Sequence, residues 1–152
     1  MKMQTNKNIK YKLSSIEHDS CILDTKDIDL SQLNEDRIKF QYKIEAIIKI
    51  AENLITISPG IRFIYNNTKI LEASASVNFI IKPMEDAFLI DKENQKLDIK
   101  VDILPAMISA SYSTLRGIVY SQTIGTPLSR FPIPLIESKT LTNKTAITVE
   151  DQ

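Results

Sequence analysis

Few residues in this chain could do covalent or proton-transfer chemistry. There is one histidine, His18, between Glu17 and Asp19, and one cysteine, Cys21. A histidine held by a carboxylate can act as a general base, and a thiolate can act as a nucleophile. Without a second histidine or a surrounding motif, His18 reads as an exposed, structurally minor residue. Cys21 lies inside a strand pattern and reads as a small hydrophobe. One Cys and one His are too few ligands for a zinc site. The only glycines, Gly60, Gly117 and Gly125, are too dispersed to form a phosphate-cradling loop. The acidic pairs Glu17/Asp19, Asp27/Asp29 and Glu85/Asp86 read as solvated surface charge. The sequence therefore predicts a non-catalytic protein with no metal and no cofactor.

Composition narrows the class further. At 152 residues, with 43% hydrophobic and 25% charged, the chain is expected to form one domain over 1–152, with 1–8 and 138–152 as flexible tails. Lys+Arg and Asp+Glu are both 19, so the electrostatic footprint of a nucleic-acid binder is missing. No apolar run approaches the ~20 residues of a membrane span, which argues against membrane insertion. The N-terminus has basic residues but no apolar core of a signal peptide, and a lone cysteine makes no intramolecular disulfide. A cytoplasmic location is expected.

The elements follow from periodicity. Ile9 to Leu23 reads as a first strand, bulged near Ser14 and Ser15. Asp24 to Asp36 reads as a long crossing connection anchored by Ile28, Leu30 and Leu33. Ile38 to Ile50 alternates apolar residues with Lys39, Gln41, Lys43, Glu45 and Lys49, as in a sheet with one solvated face. A Glu52-Asn53 turn pairs Ile48 with Ile57. The third strand, Leu54 to Tyr65, is expected to bulge or bend at Pro59-Gly60. The fourth strand alternates from Leu71 to Ile81. Pairing Phe63 with Leu71 keeps both apolar sets on one face, which predicts a three-residue loop, Asn66 to Thr68, with a left-handed residue and a bulge. Glu85 to Ile90 reads as a helical turn anchored by Phe88 and Leu89, and Leu97, Ile99 and Val101 alternate briefly after it. A long helix then starts with Asp102 as N-cap and Pro105 in the first turn, and ends at Gly125 and Pro127. Leu104, Ile108, Tyr112, Leu115 and Val119 form one stripe, and Ile103, Met107, Ala110 and Ile118 another. Arg116 is its only charged residue. A helix so apolar must be covered on more than one side, which predicts a partner chain.

Four antiparallel strands, a long crossover after the first and one long helix make an α+β fold. In this order of elements the chain resembles the SecB family of protein-export chaperones. Leu104-Pro105 matches the dipeptide that opens the family helix, and Gly125-Thr126-Pro127-Leu128 looks like its ending. Phe131-Pro132-Ile133-Pro134-Leu135 is similar to the apolar-proline element that follows, and more closely to the divergent SecB-like branch. The resemblance spans Tyr11 to Glu137. The family's second, C-terminal helix has only a weak counterpart after Ile136. Where the family presents an acidic face to the SecA motor, this chain presents Lys39, Lys43 and Lys49, so SecA docking is not implied.

The resemblance implies a holdase that binds unfolded or newly made polypeptides in apolar grooves, serving either export or a dedicated antitoxin client. Adaptable apolar loops suit that task. The expected client-binding residues are Ile28, Leu30, Leu33, Tyr42, Leu128, Phe131, Ile133 and Leu135. A homo-oligomer, as a dimer of dimers, is expected through Ile103, Met107, Ile108, Ser111, Tyr112, Leu115, Ile118 and Val119. The competing reading is a non-catalytic module enclosing a small apolar ligand.

Overall fold

A computed structural model describes residues 10–26, 28–91, 96–99 and 103–150. The N-terminal tail, Asp102 and Val101 lie outside them. Strands β1 (Lys10–Leu23), β2 (Ile38–Lys49), β3 (Leu54–Tyr65) and β4 (Thr68–Lys82) form the expected antiparallel sheet. Next come a helical turn, α1 (Met84–Ala87), and a small hairpin, β5 (Phe88–Asp91) with β6 (Lys96–Ile99). Phe88 and Leu89 thus belong to a strand, not to the helical turn. The long helix α2 (Leu104–Thr123) lies across β3 and β4. It stops where Gly125 takes a φ of 83° that disfavours other residues.

The segment expected to be a tail is instead ordered structure. A short helix, α3 (Ser138–Lys144), leads into strand β7 (Ala146–Glu150), which pairs parallel with β2. The sheet therefore has five strands, in the order β1-β4-β3-β2-β7. Thr, Ile and Val are poor helix formers but good strand formers, and buried Leu141 anchors α3 to the core.

The registers show how the apolar face is kept continuous. Between β2 and β3 the pairing is Ile48 with Ile55 and Ala46 with Ile57. This is two residues from the expected register, and an even shift leaves every side chain on its face. Between β3 and β4, Phe63 pairs with Leu71 as expected. The loop is shorter than expected, with both Asn66 and Asn67 at positive φ. A register shift just after Phe63 restores the parity. Pro59-Gly60 makes no bulge: β3 runs through it in constant register with β2, and pairing with β4 resumes unchanged at Gly60. Pro59 is tolerated because the ladder to β4 skips it, while Ser58 and Ser76 hydroxyls meet at 3.3 Å beside the gap.

Strand β1 carries two irregularities, one between Leu13 and Ser15 and one between His18 and Ser20. They place Tyr11, Leu13, Ile16, His18, Cys21 and Leu23 opposite the core-facing residues of β4. The helix meets β1 far less than it meets β3 and β4, and Tyr11, Leu13, Ile16 and Leu23 remain exposed.

Candidate functional site

The site grows from the flank of α2. Its inner face, Leu104, Met107, Ile108, Ser111, Tyr112, Leu115 and Val119, is buried against the sheet. Ser111 is admitted there because its hydroxyl donates to the Met107 carbonyl at 2.8 Å. On one flank, Tyr112 and Arg116 stand one turn apart. The chain after α2 reverses through a tight turn, Pro127–Arg130, and returns along this flank. Tyr112 Oη donates to the Pro134 carbonyl at 2.7 Å, and Arg116 Nε donates to the Ile133 carbonyl at 3.1 Å. A segment with prolines at 132 and 134 lacks two backbone donors, and the helix side chains satisfy its carbonyls instead. Burial pushes the Tyr112 phenol up to about 12, with the nearby Arg116 charge opposing the shift. It therefore stays a proton donor at physiological pH.

This staple leaves a groove of about 330 Å³ between the second half of α2 and the returning segment. Phe63, Val119, Tyr120, Leu128, Phe131 and Ile133 supply apolar walls. Ser113 and Gly117 keep the helix side low, and Ser129 and Arg116 add polar groups. The turn Leu30–Gln32 of the crossing connection lies beside Pro127–Arg130, at one end of the sheet.

Of the expected client-binding residues, Leu128, Phe131 and Ile133 come together here. Leu128 and Ile133 are anchors, nearly fully buried, and Phe131 is half-buried. Leu135 is not in the lining and is 83% exposed. Tyr42 stacks on Phe40 (5.9 Å), meets Tyr112 edge-on (6.1 Å) and lies under Lys144 Nζ at 5.1 Å, outside the groove. Ile28 and Leu33 pack against the core, and Ile28 lines a separate depression with Tyr65 and Arg37. The side chain of Leu30 lies outside the described set. The sequence reading missed Phe63, Ser113, Gly117 and Tyr120. The small residues at 113 and 117, one turn apart beside an aromatic at 120, were the available signal.

Of the expected oligomer residues, Ile103, Met107, Ile108, Ser111, Tyr112, Leu115 and Val119 are already buried within the single chain. Only Ile118 keeps partial exposure. The helix face left open is Ala106, Ala110, Ser113, Gly117, Tyr120 and Ile124. The first stripe and Ile103 and Met107 of the second lie on the inner face, while Ala110 falls on the open face, which is small along Ala106, Ala110, Ser113 and Gly117 and ends in exposed Tyr120 and Ile124.

The isolated chemical groups are not assembled. His18 is exposed, and Asp19 accepts a hydrogen bond from Ser76 Oγ at 2.9 Å. Half-buried Cys21 has its thiol pushed up by burial. Among the described residues there is no cluster of potential metal ligands, and no helix is long and apolar enough to cross a membrane. Lys39 and Lys43 lie exposed on the outer sheet face, with Lys43 Nζ at 3.9 Å from Glu45. Glu72 there is held below its usual range by its hydrogen bond with Lys69 and by Arg62 at 3.3 Å.

No family model matches the sequence, and no curated protein matches it. Solved structures similar to the chain include the following two. One is the SecB-like chaperone Rv1957 of Mycobacterium tuberculosis, solved with a peptide of the HigA1 antitoxin. It has 11% identity and a TM-score of 0.47, over 83% of this chain and 86% of that one. The other is a protein of unknown function from Streptococcus agalactiae, with 13% identity and a TM-score of 0.43, over 84% of this chain and 98% of that one.

Proposed function

We propose that this chain is a SecB-like holdase, a cytoplasmic chaperone that keeps an unfolded or newly made polypeptide from aggregating, with an antitoxin as the alternative client. The groove between α2 and Leu128–Ile133 carries the reading. It is apolar, open, built on one rigid wall and one proline-stiffened wall, and its lining offers no arrangement of acid, base and nucleophile. Shallow grooves of this kind hold extended apolar segments reversibly, since each buried side chain contributes roughly 1.5–3 kcal/mol before entropic costs. The test is suppression of aggregation of a slowly folding client. Phe131→Ser should leave the fold largely intact and weaken holding about tenfold, equivalent to ~1.4 kcal/mol. A wild-type protein that suppresses nothing would leave only a single dedicated client. A toxin–antitoxin gene pair beside this gene would favour the antitoxin role.

The chaperone is proposed to self-associate by two surfaces. The first is β1, an edge strand whose core face leaves Tyr11, Leu13, Ile16 and Leu23 exposed among the described residues. Its sequence is self-complementary about a two-fold axis between Ser14 and Ser15. Antiparallel pairing there sets Lys12 opposite the partner copy's Glu17, Lys10 opposite Asp19, and Leu13 opposite Ile16. The second surface is the small, uncharged outer face of the first half of α2, at Ala106 and Ala110, which are exposed and do not line the groove; it would join such dimers in pairs.

A further inference from the structure

The groove carries one formal charge among its lining residues, Arg116. The bond from Nε to the Ile133 carbonyl fixes the guanidinium against the groove wall. Among the described residues, the ion pairs lie elsewhere, on the outer sheet face, and the terminal nitrogens of Arg116 bond to no protein acceptor. The remaining lining is aromatic, aliphatic or hydroxylic. Apolar walls lower the local dielectric and strengthen a charge pair, and the guanidinium fork fits a carboxylate by two parallel bonds. The facing wall cannot select by strand pairing along its length, because Pro132 contributes no N–H. Selection in this groove therefore falls to side chains.

We propose that the groove takes a short extended apolar segment bearing one acidic side chain, with aromatic or aliphatic residues against Phe63, Tyr120 and Phe131 and the carboxylate on Arg116. This rests on the chaperone reading and specifies its client: acidic-apolar stretches are held in preference to basic-apolar ones. At about 330 Å³ the site is at the small end of ligand sites, so the recognised stretch is short.

The test uses the full chain and three labelled peptides that differ only in a central Glu, Gln or Lys within one apolar aromatic sequence. Fluorescence anisotropy should show the Glu peptide binding about tenfold tighter than the Gln peptide, and the Lys peptide weakest, with the gap narrowing as salt rises. Arg116→Gln should lose the preference for the Glu peptide over the Gln peptide, read as the ratio of the two affinities in the variant. Equal affinities for the three peptides, or a preference for Lys, would overturn the proposal and leave the groove reading in place. An Arg116→Gln variant that still prefers Glu would overturn the assignment to this residue. Failure of all three peptides to bind would overturn the groove reading together with the proposal. If Arg116→Gln melts early on the same samples, the wild-type series decides alone.

Discussion

Tyr112 is the residue on which the groove's second wall depends. Removing its hydroxyl in Tyr112→Phe leaves the Pro134 carbonyl without its donor, which should cost about 0.5–1.5 kcal/mol. The phenol also links stability to pH. Its folded pKa, about 12, lies above the ordinary 10. The unfolded chain therefore loses this proton first as pH rises. The stabilisation is complete below pH 10 and is lost progressively toward 12. Urea melts across that range should fall more steeply for the wild type than for Tyr112→Phe, and parallel curves would assign the loss to other tyrosines. Ser111 makes the complementary point. A glutamate there would bury an unpaired charge under the sheet, so Ser111→Glu should prevent folding rather than merely separate subunits. The sequence showed Arg116 as the sole charge on α2. It did not show which way the residue faces, because that depends on the chain reversal after Gly125 that brings Ile133 and Pro134 back along the helix.

Among the elements, the strands were the most legible. Alternation in β2 and β4 is broken only at Ile47, Ile70 and Ile80, and the demand that both apolar sets share a face was enough to place Phe63 against Leu71. What parity cannot distinguish is a longer loop from a short turn plus a bulge, since both shift the face by one residue. The end of the chain was misread for a different reason. Ile147, Thr148 and Val149 suit an edge strand, but the parallel partner β2 that makes them one is distant in sequence. Gly60 tests the reading of β3 as an unbroken strand. A Cβ there would meet Lys43 Cγ and Cε at 3.6 Å and the Ala73 carbonyl at 3.7 Å, ordinary contact distances. Gly60→Ala should therefore stabilise the protein by about 0.4–1 kcal/mol through the unfolded chain. A bulge needing left-handed backbone at this position would instead make the change destabilising, and thermal denaturation separates the two.

For the whole molecule, the sheet is wider than its cover, and the uncovered part coincides with the strand that can pair with itself. Leu13 and Ile16 of each copy would then meet across the axis, with Tyr11 opposite the partner copy's His18, in one strip on the core face, and with the lysine and acidic ends of β1 in opposition. The double irregularity of β1 gains a reason in this arrangement. Without it Ile16 would turn to the outer face, and the strip would be broken at its centre. The charge pattern supplies the test. Lys12→Glu replaces two symmetry-related attractions with two repulsions, as does Glu17→Lys, and each pair at an exposed edge is worth roughly 0.2–1 kcal/mol. Either single change should weaken the dimer by on the order of tenfold in sedimentation equilibrium, while the double change Lys12→Glu/Glu17→Lys restores it. Ala110→Glu, on the exposed face of α2, should leave this dimer intact and block only its further pairing. A double mutant no better than the singles would exclude the register centred between Ser14 and Ser15, and a wild-type protein monomeric at micromolar concentration would exclude pairing through β1 altogether.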